Sequence, residues 1–353
     1  MPKMPKIHSL LPLLLLLLLA LGAGSLPALA AADSPYGINI HAPQGAALAT
    51  QLDRVRGAGV GWVRIDFIWA AVQPDRNTWD WSGYDAIAAA ARKRKIQIYA
   101  TLAYTPAWAT DGPEIIGVPR DPGDWAAFCF QAAKRYRTTI RTWGMWNEPN
   151  LPRFWSGSRE EYVDVILKPG ADAIHAANRT ARVAGPDLAH VTTGSADWYN
   201  WLRLTLLEAG DKLDVITHHL YDSDGNRDVT SKLEKSTTFG SRPSLWDAVP
   251  PSVREVLKTT GWYRQKPFWL TETGWESGRV SEDVQAADYT GLLGDWFTGG
   301  SRGNGRDWVN KIFFYEIQDP PTDFTWGILR SDGTFKPAYG ALQGFARAHP
   351  AGR

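Results

Sequence analysis

Short apolar runs alternate with amphipathic stretches along nearly the whole chain. Eight runs are apolar or β-rich and end in turn formers: Tyr36–His41, Trp62–Phe67, Ile96–Ala103, Thr142–Asn147, Ala181–Ala184, Leu213–His219, Pro267–Glu272 and Lys311–Ile317. They predict eight strands. Most are followed by a segment in which apolar residues recur at helical spacing. Behind Asp121 and Pro122, a cap and first-turn pair, the residues Trp125, Phe128, Cys129, Ala132 and Tyr136 form one apolar face. That face sends Cys129 toward the core as a small hydrophobe. Ser158-Arg159-Glu160-Glu161 has the pattern of a capping box after the fourth strand. Ser281, followed by Glu282 and Asp283, opens a later helix with acids at its positive end.

Eight strand–helix units permit a closed barrel or an open doubly wound sheet. No G-x-G-x-x-G follows the first strand, so a dinucleotide site has no support. The expected fold is α/β, a (β/α)8 TIM barrel, forming a single domain over residues 32–353. No Pro- or Ser-rich linker divides that stretch. A barrel also predicts that chemical groups collect at the C-terminal ends of several strands.

The first residues follow a different pattern. Lys3 and Lys6 precede an apolar run from Leu10 to Leu21, and Ala28-Leu29-Ala30 offers small residues beyond it. Positive, apolar and small in that order predicts a secretory signal peptide over residues 1–31. The run is short for a span of about 20 residues, so no membrane insertion is expected after processing. The expected location is secreted, extracellular or periplasmic.

Composition narrows the partners. A net charge of +1 and the absence of a basic run give no footprint for nucleic acid. Cys129 is the only cysteine, so no intramolecular disulfide can form and a large core must carry stability. No metal site or cofactor is predicted: His218 and His219 are adjacent, so their side chains diverge on a strand rather than converge on an ion. Asp222-Ser223-Asp224-Gly225-Asn226 resembles the start of a calcium loop, but Glu234 falls one residue past the closing position. The 18 tryptophans exceed the tyrosines or phenylalanines. Indole faces fill cores, and they also stack on the C–H faces of sugars.

Two glutamates meet the strand-end expectation. Glu148 ends Thr142-Trp143-Gly144-Met145-Trp146-Asn147-Glu148-Pro149, and Glu272 ends Phe268-Trp269-Leu270-Thr271-Glu272. Their spacing places one after strand four and the other on strand seven, so both can face the barrel mouth. Glycosidic cleavage needs such a pair: one carboxyl protonates the leaving oxygen, and the other attacks the anomeric carbon or activates water. A gap of about 5–5.5 Å gives retention of configuration, and a wider one gives inversion.

Trp146-Asn147-Glu148-Pro149 resembles the acid/base motif of clan A glycoside hydrolases. Leu270-Thr271-Glu272-Thr273-Gly274-Trp275 resembles that clan's nucleophile segment. The resemblance extends to Gly37-Ile38-Asn39-Ile40-His41, Val63-Arg64-Ile65-Asp66, His219-Leu220-Tyr221 and Lys336-Pro337-Ala338-Tyr339. It is nearest to family 39, with family 5 close behind. Family 39 β-xylosidases carry an added β-sandwich, so the expectation leans to single-barrel members, some of which cleave exopolysaccharides.

The resemblance implies a retaining hydrolase of a polysaccharide or oligosaccharide, active as a monomer, with Glu148 as acid/base and Glu272 as nucleophile. Transglycosylation, inversion, or a silent sugar-binding barrel are the alternatives. Asn147 would bond the sugar 2-hydroxyl. Arg64 and Tyr221 would hold Glu272 ionised, and the charge of Glu272 would in turn raise the pKa of Glu148. His219 is a site candidate or a structural barrel histidine. Asn39, His41, Trp69, Tyr104, Trp108, Glu316 and Trp326 lie at or past strand ends as candidate subsite residues. The long polar segment Asp222–Pro251 is expected to wall the cleft.

Overall fold

The computed structural model describes residues 34–43, 45–192, 194–221, 229–234, 251–298 and 306–350. The N-terminal run and the calcium-like stretch lie outside them, as does most of Asp222–Pro251. Eight parallel strands close in sequence order: β1 (Tyr36–Asn39), β2 (Trp62–Ile68), β3 (Gln97–Ala103), β4 (Thr142–Met145), β5 (Arg182–Ala189), β6 (Val215–His219), β7 (Phe268–Thr273) and β8 (Val309–Phe314). β1 pairs with β8 to complete the ring. One principal helix follows each strand: α1 (Gly45–Gly57), α2 (Ser82–Lys93), α3 (Pro122–Arg135), α4 (Lys168–Ala177), α5 (Trp198–Ala209), α6 (Val253–Thr259), α7 (Glu282–Phe297) and α8 (Pro337–Ala348). The (β/α)8 barrel expected from the periodicity is therefore the fold. No described helix is long and apolar enough to cross a membrane.

The local signals act as their chemistry requires. Asp121 caps α3 by accepting from Gly123 N at 2.7 Å. Ser158 and Glu161 exchange both bonds of a capping box, at 3.1 and 2.7 Å. Trp125, Phe128, Cys129, Ala132 and Tyr136 are all buried.

Inside the barrel an apolar floor gives way to a polar layer. Trp62, Tyr99, Ala184, Val215, Trp269 and Phe313 form the floor. Gly37 and Gly144 leave room for it: a Cβ would sit 2.2 Å from the Phe313 ring and 2.7 Å from the Tyr99 hydroxyl. Two residues further along four of these strands stand Arg64, Thr101, Thr217 and Thr271, all buried. Strand alternation sends residues i and i+2 to the same face, so this polar layer lies directly above the floor.

Two strands depart from the sequence expectation. β5 continues to Ala189 instead of stopping at Ala184. Gly185 and Pro186 read as a turn, yet they are absorbed by a register shift against β6 between Gly185 and Leu188, a place where a strand tolerates proline. β7 is irregular as well: its register shifts against β6 and again against β8 between Leu270 and Thr273. Strict alternation from Thr271 would turn Glu272 outward; the irregularity re-aims it, as bulges beside sites commonly do.

Candidate active site

Glu148 sits in the turn after β4. Trp146 and Glu148 have φ of 72° and 44°, the left-handed region, which costs a non-glycine residue about 1–2 kcal/mol. Neighbouring contacts hold the turn in place. Trp146 is fully buried, and its Nε1 donates to Phe154 O at 2.8 Å. Glu148 N donates to Asp187 O at 3.0 Å. Asn150 clamps the turn to β5 by donating to Ala189 O at 2.9 Å and accepting from Ala189 N at 3.0 Å.

Glu272 faces Glu148 across the mouth. Arg64 Nη1 donates to Glu272 Oε1 at 2.6 Å, and the Tyr221 hydroxyl donates to Oε2 at 2.7 Å. The same guanidinium reaches Asn39 Oδ1 at 3.0 Å and, through Nη2, Asn147 Oδ1 at 2.8 Å. Asn39 is itself fixed by donating to Thr271 O and Phe314 O at 3.1 and 3.2 Å. The Arg64 bond uses the Asn147 carbonyl oxygen, so the Asn147 amide N–H groups are what this residue can offer the cleft.

Between the carboxylates lies His219, 0 % exposed. Its Nδ1 is 3.1 Å from Glu148 Oε1 and 3.5 Å from Glu272 Oε2, and its Nε2 is 3.6 Å from Asp187 Oδ1. One atom from each of Glu148, His219 and Glu272 lies within 4.8 Å of the others. Three ligand atoms this close could frame a metal ion, and Arg64 already places a positive charge against Glu272 at 2.6 Å. Burial pushes the imidazole down, yet Glu272, Asp187 and Glu148 together raise its pKa to about 9.

This histidine corrects one expectation. Burial raises the Glu148 carboxyl, but hydrogen bonding and charge from His219, with Arg153, outweigh it and hold Glu148 below its usual value. Glu272 is the carboxyl held above its usual value, chiefly by burial, with His219 and Arg64 opposing. In the open site the charge of Glu272 does not dominate Glu148, because a cation stands between them.

Asp187, which sequence reasoning passed over, supports the cluster from below. It is completely buried and accepts from the Tyr99 hydroxyl, from Thr271 Oγ1 at 2.6 Å and from Arg64 Nη2 at 3.3 Å. Burial alone would raise its pKa, but Arg64 and His219 drive it well below the usual carboxylate range.

A cleft of about 520 Å³ opens over the pair. Of the sequence candidates, Asn39, His41, Arg64, Tyr104, Asn147, Glu148, Tyr221, Glu272 and Trp326 line it. Trp326 meets Tyr221 edge-on, with ring centroids 5.0 Å apart. Three candidates lie elsewhere. Trp69 is fully buried and stacks on Phe128 at 5.5 Å, because β2 runs straight into a short helix that turns its ring inward. Trp108 packs edge-on against Trp69, and its Nε1 donates to Gln73 O at 2.8 Å. Glu316 is buried behind His41 at 3.2 Å, positioning that ring instead of facing the cleft. Lining residues missed from sequence include Asp66, Arg153, Phe154, Arg279, Tyr315 and Phe324. Asp66, two positions past Arg64 on β2, was accessible to the period-two rule; the loop residues carried no such signal.

The fold and site define a (β/α)8 barrel with paired carboxylates at its C-terminal mouth, an arrangement able to divide proton donation from nucleophilic attack. The model of Glycosyl hydrolases family 39 matches residues 126–289, a stretch that contains both glutamates. The β-xylosidase of Caldicellulosiruptor saccharolyticus is 28% identical over 155 residues, covering 42% of this chain and 30% of that protein. The β-xylosidase of Geobacillus stearothermophilus is 27% identical over 159 residues, covering 42% and 29%. The matched stretch thus spans less than a third of either relative. Among solved structures, a family 39 glycoside hydrolase from Bacteroides cellulosilyticus WH2 superposes with a TM-score of 0.67 at 20% identity, over 88% of this chain and 63% of that one. GH5_18 from Streptomyces cattleya gives 0.68 at 16%, over 91% and 81%. The resemblance to clan A families 39 and 5 is therefore shown in sequence by family 39 and in fold by both.

Proposed function

We propose that the protein is a retaining glycoside hydrolase that cleaves a polysaccharide or oligosaccharide by double displacement. The observation that carries this is the approach of Glu148 and Glu272 to within 4.8 Å, atom to atom. So close an approach favours direct attack by a carboxylate over inversion, whose carboxyl groups stand about 6.5–9.5 Å apart to admit a water.

Glu272, held by Arg64 and Tyr221, attacks the anomeric carbon and forms a glycosyl-enzyme. Glu148 protonates the departing oxygen. His219 holds the inner oxygen of Glu148, its Nδ1 3.1 Å from Oε1, and leaves Oε2 to carry the proton. In the second step Glu148 takes a proton from water, which attacks the same carbon and frees Glu272. Asn147, turned by Arg64, presents its amide N–H groups to the sugar beside Glu272, and Trp326 supplies an aromatic face. The chain acts as a monomer and is exported through residues 1–31. The sugar named for the two β-xylosidase relatives is not carried over, since the shared stretch is a minor part of each.

The test is stereochemical. Proton NMR of the first-formed hemiacetal from an aryl glycoside should show the configuration of the substrate. First-formed product of opposite configuration would overturn the double displacement.

A further inference from the structure

The two oxygens of Glu148 face different partners. Oε1 points to buried His219 at 3.1 Å. Oε2 points to Arg153 Nη2 at 3.3 Å, and the Arg153 side chain is 70 % exposed. The outward oxygen is therefore the one that meets a leaving group. Resting on the hydrolase reading above, we propose that the leaving-group side of this cleft is selective for a sugar bearing a carboxylate, with Arg153 as the selecting residue.

The reason is a change of charge. To act as an acid, Glu148 must carry a proton on the oxygen that meets the leaving group. A guanidinium has five N–H donors and no acceptor. With the proton on Oε2, that oxygen can still accept an N–H through its remaining lone pair, but the ion pair with Arg153 is gone. Arg153 then faces a neutral group whenever the site is loaded for cleavage.

Among the described residues no second carboxylate pairs with Arg153, whose one ion pair is with Glu148, and its guanidinium otherwise lies over the Phe154 ring at 4.8 Å. Phe154 and Arg153 both line the cleft. A second guanidinium, Arg279 on the loop after β7, lines it too and is 72 % exposed while paired to Glu276 at 2.6 Å. The mouth thus presents two exposed, planar cations. The planar fork of Arg matches a carboxylate in bidentate fashion. A neutral leaving sugar offers only hydroxyl oxygens, which accept more weakly than the Glu148 carboxylate. A uronate offers a competing carboxylate, and by pairing with Arg153 it lowers the cost of protonating Oε2. Recognition and proton loading become one event.

The experiment separates this proposal from the hydrolase reading. The glycosyl-enzyme is loaded from a dinitrophenyl glycoside, whose departure needs no proton, and the dinitrophenolate burst counts active sites. Methyl glucuronide and methyl glucoside then compete as acceptors at equal concentration. The wild type should transfer to the uronide in preference by on the order of tenfold, about what one charge-assisted hydrogen bond gives. Arg153→Met should bring the ratio close to one, and Arg153→Lys should keep part of it. On a neutral aryl glycoside, the alkaline limb of Arg153→Met should move to higher pH, because Glu148 loses a cation. A burst with no acceptor preference overturns the selectivity and leaves the hydrolase reading standing, as does a preference that survives in Arg153→Met. Preference for glucose 6-phosphate or 6-sulfate over the uronide overturns the carboxylate assignment. Absence of any dinitrophenolate release across a panel of dinitrophenyl glycosides overturns both.

Discussion

His219 Nδ1 lies 3.1 Å from Glu148 Oε1, with the imidazole wholly buried between that carboxylate and Glu272. A cation in this position makes the histidine and Glu148 a single proton-holding unit. The histidine pKa is about 9 although burial alone would depress it.

The pH profile should follow from this unit. In the proposed double displacement Glu272 must be ionised to attack, and its pKa is raised, mainly by burial. Activity should therefore fall as pH drops through a value above the ordinary glutamate pKa of about 4.3. On the alkaline side, the proton stored on the His219–Glu148 pair is lost near pH 9. His219→Asn should bring that limb to lower pH, since Glu148 alone then governs proton loss. The kcat/KM profiles of both proteins check this; an unchanged alkaline limb in the variant would assign the storage elsewhere.

The two glutamates should separate by chemical rescue. Glu272→Gly should lose essentially all turnover, and azide should restore formation of a glycosyl azide of inverted configuration. Glu148→Ala should still form the intermediate from dinitrophenyl glycosides, and azide should then give a product of retained configuration. If azide rescues neither variant, or the two configurations are exchanged, the assigned roles are wrong.

Asp187 should matter for stability as well as for the site. Asp187→Asn leaves Arg64 and His219 facing a neutral group in the barrel interior. Losing one partner of a buried ion pair costs on the order of 3–5 kcal/mol. The folded pKa of Asp187 lies below the unfolded value, about 3.9. Its contribution is thus present above that value and is lost as pH falls toward the depressed folded one. Urea unfolding should show a large gap between wild type and variant at pH 7, narrowing by pH 3.

Tryptophans at strand ends should divide by location. Trp69→Ala removes a fully buried ring and should destabilise by about 3–5 kcal/mol. Trp326→Ala removes a cleft-lining face and should raise KM for a long substrate several-fold with little change in the unfolding midpoint. Thermal melts and Michaelis constants on both variants distinguish the two.

The sequence by itself determined the barrel. Alternation of eight apolar runs with capped helices leaves few other ways to bury those faces, and each cap at Asp121, Ser158 and Ser281 depends only on residues within three positions. It also determined the pair Glu148 and Glu272, because strand ends and local motifs are short-range features. The tertiary structure decided what these residues meet. Asp187 came into view only when β5 ran through Gly185-Pro186, a choice made by pairing with β6. The position of His219 between the carboxylates depends on β4, β6 and β7 converging, and with it the reversal of which carboxyl is raised. Trp69, next after β2, and Trp326, on the segment beyond β8, carry the same chemistry, and only packing made one core and the other wall. Propensity and capping act over a few residues, whereas burial and electrostatics are set by groups distant in the chain, which the fold alone brings together.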